Sequence, residues 1–314
     1  MNLTLQTIPS TIVSKILANY AIIYQMKIST YCPCCFSFDI EKSDAILMPF
    51  MAKKIFDYDY VNIDKNWNLF NFDSGKGYLL CKSVKCESCN FLFSDFRFDD
   101  DEMFELYKDY REEPYLDLRE SLEPGYKLRN EYFKTEFEHK LPFVEDFLSP
   151  YVNSESSVLD WGGDDGKSTP FKNKVKNIFI YDITEKQLDD NIQHINSEKL
   201  LESNFDLIVC SNVLEHVSFP VDFTKNIQKC MSSQTVLYIE VPFEKLMDSG
   251  QDVLSNKRHW HEHINFYSEL SLKKMIENSG LEIIKFEVLD YSFALNYSNF
   301  GKIFMIACKI NIGD

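Results

Sequence analysis

The sequence predicts an α/β protein in which a doubly wound, Rossmann-like sheet with an antiparallel last strand follows a small cysteine-rich module. Three observations predict it. Short apolar runs alternate with polar, helix-like stretches from residue 151 onward. A glycine turn closes the first of those runs, in VLDWGGDDGKSTP at 158–170. Six of the nine cysteines fall between residues 31 and 95, among aromatic and turn-forming residues with little helical periodicity.

At 314 residues, 45% of them hydrophobic and 15% aromatic, the chain can bury a large core and has room for one large domain and a smaller one. The formal charge of -16 argues against a general binder of nucleic acid or anionic membrane, because the sequence-independent attraction to phosphates is missing. The early apolar stretch Ile16 to Tyr24 is interrupted and shorter than the roughly 20 residues that span a bilayer. No signal peptide is evident, so the nine cysteines point to reduced thiols or metal and to a cytoplasmic location.

The elements are expected in this order. Residues 1–30 read as an N-terminal extension, and 31–96 as a metal-stapled module. Residues 97–150 form a helical connector on the substrate side, with Met103, Leu106, Tyr107 and Tyr110 at helical spacing and breaks at Pro114, Pro124 and Pro142. In residues 151–314, Val158–Asp160, Ile178–Tyr181, Phe205–Cys210 and Val236–Val241 are buried-strand runs. A helix over about Ser268–Ser279 and two closing strands, Leu281–Leu289 and Lys302–Lys309, complete the domain. Lys167-Ser-Thr-Pro170 reads as the start of a helix after the glycine turn.

Which ligand suits the turn follows from its charge. A phosphate loop would need glycine where Trp161 stands, and a dinucleotide turn needs a spacing that Gly162, Gly163 and Gly166 do not have. Asp164 and Asp165 would also repel a pyrophosphate. S-adenosylmethionine, with a positive sulfonium and ammonium, suits an acidic turn. VLDWGGDDG resembles motif I of the class I S-adenosylmethionine-dependent methyltransferases, with Asp164 in place of the usual middle glycine. That resemblance covers about residues 130–310. It implies that Asp160, Trp161, Gly162 and Gly163 lie beneath the methionine end of the cofactor, and that Asp182, followed by Ile183, takes the ribose hydroxyls. In FDLIVCSNVLEHV, residues 205–217, it places Cys210 and Ser211 against the cofactor, and Ser211, Asn212, Glu215 and His216 at the carboxyl edge of the sheet.

Cys32-Pro-Cys-Cys35 and Cys86-Glu-Ser-Cys89 are two C-x-x-C pairs, each suited to one edge of a tetrahedral thiolate site. Cys32, Cys35, Cys86 and Cys89 are the expected ligands of a structural zinc, with Cys34 and Cys81 as spare thiols that could replace a neighbour. The stretch from Cys86 through Arg97 to Arg111 is similar to the N-terminal zinc module of bacterial sugar methyltransferases, in which the module helps to hold substrate over the cofactor. There are 28 lysines and only 5 arginines, and four of the five (Arg97, Arg111, Arg119, Arg129) fall in one segment. Arg97, Arg111 and Arg258 are the candidates for binding an anionic substrate group, where a planar fork outperforms an ammonium.

Arg258-His-Trp-His-Glu-His263 holds three of the six histidines. An extended strand that projects His259, His261 and His263 to one side is a poor cage for a single ion. The sugar C-methyltransferases carry an aromatic-x-Glu-His group here, matched by Trp260, Glu262 and His263; the resemblance implies His263 as general base, with Glu262 orienting it and His216 as the other candidate. The expected function is methyl transfer to a sugar, nucleotide-sugar or glycan acceptor in surface polysaccharide synthesis, at oxygen or carbon. The alternatives are a methyltransferase for another small molecule and a non-catalytic binding protein whose cofactor turn Asp164 has spoiled.

Overall fold

The computed structural model describes residues 28–68, 73–184, 186–248, 250, 252–291 and 301–312. The expected extension over residues 1–30 lies almost wholly outside them. The N-terminal module is built from β1 (Ile40–Leu47), α1 (Pro49–Phe56), the short pair β2 (Val61–Ile63) and β3 (Gly75–Gly77), β4 (Leu80–Cys86) and β5 (Leu92–Ser94). Three helices follow: α2 (Asp100–Tyr107), α3 (Glu113–Leu122) and α4 (Tyr126–Leu148). Asp99 caps α2 by accepting from the Glu102 amide while the Glu102 carboxylate returns the bond, and Pro114 sits in the first turn of α3, where a missing N–H costs nothing.

The second half alternates as β6 (Ser157–Trp161), β7 (Asn177–Tyr181), β8 (Ile192–His194), α5 (Ser197–Glu202), β9 (Leu207–Ser211), α6 (Pro220–Gln228) and β10 (Val236–Pro242). A short helix, α7 (Val253–Asn256), and two two-residue strands, β11 (His259–Trp260) and β12 (Asn265–Phe266), precede α8 (Glu269–Asn278), β13 (Leu281–Asp290) and β14 (Lys302–Ile310). The main sheet has the order β13-β14-β10-β9-β6-β7-β8. Strands β6 to β10 pair in parallel, while β14 runs antiparallel to both β10 and β13. The four expected parallel strands and the closing hairpin are all present. The apolar runs are legible because these strands are covered on both faces, as in β6 and β9, whose Val158, Leu159, Leu207, Ile208 and Val209 are buried.

The helix expected after the glycine turn is absent; residues 162–174 run as irregular turns. Phe171 adopts a left-handed φ of 62°, which no helix continues, and the Thr169 hydroxyl donates to Asp160 instead of capping a helix.

The smaller sheet has the order β11-β1-β4-β5-β12. Its two edge strands come from the segment after β10, so the cysteine-rich module and the second half share a sheet. Trp260, fully buried, packs with Leu47, Phe50, Phe266 and Tyr115, and its indole N–H donates to the Ser83 hydroxyl at 2.9 Å. That interlock carries the segment 257–267 across the carboxyl edge of the main sheet.

Candidate active site

The chain turns from the β6–β7–β8 side of the main sheet to the β9–β10 side between β6 and β9, and open α/β sheets bind ligands outside the carboxyl ends of the strands at such a switch point. β6 ends there in Trp161 and β9 in Ser211. Gly162 leaves β6 with a φ of 82°, and a Cβ on it would lie 2.6 Å from Val213 Cγ2. On Gly163 a Cβ would lie 2.8 Å from the Asp160 carboxyl carbon. Both positions therefore demand glycine. Asp164, in the place of the usual middle glycine, holds a left-handed φ of 52°, which aspartate tolerates better than most residues, so the turn keeps its path.

Asp182 follows β7. Its Oδ2 accepts from the Asp164 amide at 2.9 Å, and its Oδ1 from the Thr184 amide and hydroxyl at 2.9 and 3.0 Å. An ionised carboxylate has about four acceptor sites, so capacity remains for a ribose hydroxyl. Ile183 beside it is exposed. Asp160 is buried and bonded to Thr169, and burial pushes its carboxyl up to about 7. Trp161 packs edge-on to Tyr181 at 4.7 Å between ring centres. The turn's residues thus fit a cofactor that approaches by its backbone and carries positive charge.

Of the two β9 residues expected on the cofactor, Cys210 is fully buried in the core, so its thiol cannot reach a ligand and only its backbone borders the site. Ser211 bonds Glu240 at 2.9 Å. Glu240, at the end of β10, also accepts from Lys140, the Asn212 amide group and the Tyr238 hydroxyl. This buried network escaped the sequence reading, because its lysine lies a hundred positions away in α4.

Across the switch point lies a second cluster. His216 follows the Glu215 turn, and its ring centre is 4.7 Å from that of His263. The His216 Nδ1 is 2.9 Å from the Glu262 carbonyl oxygen, and the His263 Nδ1 is 3.0 Å from Glu244 Oε1. Both acceptors lack hydrogens, so each Nδ1 carries the proton. Glu215 is buried, and neither of its carboxylate oxygens has a hydrogen-bond partner among the described residues. The buried Tyr107 hydroxyl is likewise without one, and its ring meets His216 edge-on at 5.8 Å. Burial lifts the Glu215 carboxyl to about 7 and drops His216 to about 3. For His263 burial works downward, but Glu244, Glu215 and Glu262 outweigh it and hold the imidazole at about 9. Asn265 ties the two halves by donating to the Leu214 and Val217 carbonyls.

Three expectations need correction here. Glu262 does not orient His263: its carboxylate is taken by Arg119 at 2.5 Å and faces His261 at 3.4 Å, and Glu244 holds His263 instead. Arg97 cannot meet a substrate anion, since it is fully buried, donates to Asn265 at 2.7 Å and stacks on Phe93. Arg258 sits at the surface, donating to the carbonyls of Ser255 and Asp44. Arg111 alone of the three candidates lies by the cofactor turn, over the Tyr110 ring at 4.8 Å and within the field of Asp164.

The four expected thiolates converge. Sγ of Cys32, Cys35, Cys86 and Cys89 all lie within 4.8 Å of one another, with Cys32–Cys89 at 3.6 Å and Cys35–Cys86 at 3.5 Å. A tetrahedral zinc with bonds of about 2.3 Å needs sulfurs about 3.8 Å apart, so the set fits the ion. Cys34 is buried beside this set and Cys81 lies in the β1–β4 core.

Residues 132–285 match a family model described as a methyltransferase domain. No curated protein matches the chain. Among solved structures it is similar to a S-adenosylmethionine-dependent methyltransferase from Leishmania major, at 13% identity over 55% of this chain and 72% of that one, with a TM-score of 0.42. It is also similar to the 1,6-didemethyltoxoflavin-N1-methyltransferase of Burkholderia thailandensis with bound S-adenosylhomocysteine, at 14% identity over 63% and 89% of the two chains and a TM-score of 0.43. These likenesses are too slight to add to what the strand order and the turn carry by themselves. With its order β8-β7-β6-β9-β10-β14-β13, its reversed β14 and its glycine turn at the switch point, the second half of the chain has the fold of the class I methyltransferases, and the methyltransferase-domain model matches within it.

Proposed function

We propose that the protein transfers the methyl group of S-adenosylmethionine to a sugar or nucleotide-linked sugar. The observation that carries the methyl-transfer reading is a juxtaposition. The glycine turn with Asp182 on one side of the switch point, and Glu215, His216 and His263 on the other, share one sheet edge and leave buried polar atoms for a ligand to satisfy. The methyl carbon would leave sulfur for an acceptor oxygen or carbon, the sulfonium becoming a neutral thioether, while the acceptor's proton is taken up on the side of the cleft where Glu215, His216 and His263 lie. Alignment of donor and acceptor across the cleft supplies most of the rate.

The sugar acceptor rests on the resemblance of the cysteine module to that of sugar methyltransferases, and on Tyr107, Tyr110 and Arg111, which bring hydroxyls and one guanidinium over the cleft. Cys32, Cys35, Cys86 and Cys89 would hold a structural zinc, four thiolates leaving no open position for chemistry. The non-catalytic alternative loses its main support, because Asp164 adopts the glycine-like conformation instead of distorting the turn.

Calorimetry with S-adenosylhomocysteine tests the cofactor. A screen of nucleotide sugars with methyl-labelled S-adenosylmethionine then tests the acceptor; label in a sugar supports the proposal, and label only in other small molecules overturns the sugar part. Among the described residues no helix is long and apolar enough to cross a membrane.

A further inference from the structure

Both histidines of the acceptor-side cluster are arranged as metal ligands are. In each, Nδ1–H donates to a fixed acceptor, the Glu262 carbonyl for His216 and the Glu244 carboxylate for His263, which leaves Nε2 as the nitrogen that faces a ligand; on His263 an ion would displace the second proton of the imidazolium. A metal-bound imidazole characteristically gives its other N–H to a carbonyl or carboxylate in this way. The third member, Glu215, is 1% exposed and has no hydrogen-bond partner for either oxygen, a costly arrangement for a buried carboxylate unless something positive meets it. His216 Nε2 stands 3.9 Å from Glu215 Oε1, and one donor atom from each of the three residues lies within 4.8 Å of the others. An ion with bonds of about 2.1 Å sits between donors roughly 3 to 4.2 Å apart, so a small adjustment of side chains closes the set. The imidazoles are partly exposed, which gives an entry path.

We infer that Glu215, His216 and His263 form a second metal site, distinct from the thiolate cluster, which takes a divalent first-row transition ion and presents its open positions to two neighbouring oxygens of the acceptor. Two imidazoles and one carboxylate suit manganese, iron, cobalt or zinc, whereas magnesium prefers oxygen donors alone. The inference rests on the methyl-transfer reading for the ion's role: positive charge beside an acceptor hydroxyl lowers its pKa, and the proton lost from oxygen as the carbon–oxygen bond forms passes to metal-bound hydroxide, giving water. An acceptor with adjacent hydroxyls, methylated on oxygen, is the class that uses such a site best.

The test titrates the full-length protein, supplied with one equivalent of zinc for the thiolate cluster, with Mn²⁺, free ion being read by electron paramagnetic resonance, with and without S-adenosylhomocysteine. Manganese is chosen because thiolates select softer ions. One saturable Mn²⁺ per chain is expected, with affinity reduced at least about tenfold in Glu215→Gln and in His263→Gln, and about ten- to a hundredfold in Glu244→Gln, which removes the carboxylate that supports His263. Melting temperatures identify any variant that fails to fold, and any one folded variant decides. No saturable binding by the parent, or equal binding by a folded Glu215→Gln or His263→Gln, overturns the site. Loss of S-adenosylhomocysteine binding with Mn²⁺ binding intact would instead overturn the methyl-transfer reading and leave the cation site standing.

Discussion

The Asp164 amide donates to the Asp182 carboxylate at 2.9 Å, which makes the glycine turn and the acid after β7 one hydrogen-bonded unit. Removing Asp182 therefore removes both the proposed ribose acceptor and the support of the turn. Asp182→Ala is expected to weaken S-adenosylhomocysteine binding about a hundredfold or more, the equivalent of two charge-assisted hydrogen bonds. Asp164→Gly should bind within about threefold of the parent, since glycine adopts the observed φ of 52° without strain. Calorimetry on both variants checks the pair; tight binding by Asp182→Ala would sink the ribose assignment.

Steric contact couples the same turn to β9. Gly162→Ala places a methyl 2.6 Å from Val213 Cγ2 at a φ of 82°, and is expected to cost about 2 kcal/mol or more of stability. Val213→Ala should recover the steric part in the double variant and leave the backbone part, about 1 kcal/mol. Urea unfolding of the two single variants and the double measures the coupling.

How much of this was legible depends on where the information sits. The parallel strands and the thiolate set were readable because burial on both faces writes apolar runs, and because C-x-x-C spacing is local. The two-residue strands β11 and β12 were not, since their pairing is decided by β1 and β5, more than 170 positions earlier. The pairing of Glu262 with His263 failed for a related reason. Consecutive side chains in non-helical backbone diverge, so the neighbour in sequence turned to Arg119 while Glu244, nineteen positions back, reached the imidazole. The rarity of arginine does not distinguish anion binding from packing, and Arg97 stacks on Phe93 within the core.

Asp160 makes stability depend on pH. Burial raises its folded carboxyl to about 7, above an unfolded value near 3.9, so the folded chain keeps a proton that the unfolded chain has lost between those limits. Stability falls as pH rises through that window, the full penalty being present above about pH 7 and none below about pH 4. Asp160→Asn should therefore stabilise the chain by up to about 4 kcal/mol at pH 8 and hardly at all near pH 4, while weakening S-adenosylhomocysteine binding. Urea midpoints at the two pH values decide it, equal gains at both being the contrary result.

The thiolate cluster should carry about one zinc per chain by elemental analysis. Chelation is expected to lower the melting temperature, because metal binding and folding of such a site are one process. Cys86→Ser should lose most of that zinc, whereas Cys81→Ser, at a thiol in the β1–β4 core, should keep it. Equal zinc content in the parent and Cys86→Ser would remove the assignment.

Glu262 and Glu244 separate structure from chemistry. Glu262 is the counter-ion of Arg119, whose guanidinium is buried among Tyr115, Tyr126 and Phe50 and also meets Glu123 at 3.0 Å. Neutralising one partner of a buried pair strands the other, at a cost of about 3–5 kcal/mol when no second partner remains and less here because Glu123 does. Glu262→Gln is therefore expected to lower the melting temperature and to spare the rate of methyl transfer in the protein that stays folded. Glu244 instead fixes the tautomer and direction of His263 from the edge of the site. Glu244→Gln should keep the melting temperature and S-adenosylhomocysteine affinity while slowing single-turnover methyl transfer about ten- to a hundredfold, the loss typical when support of a ligating or catalytic histidine is removed. Single-turnover rates beside melting curves for the two variants give the answer; a Glu262→Gln protein that is stable but slow would return the orienting role to Glu262.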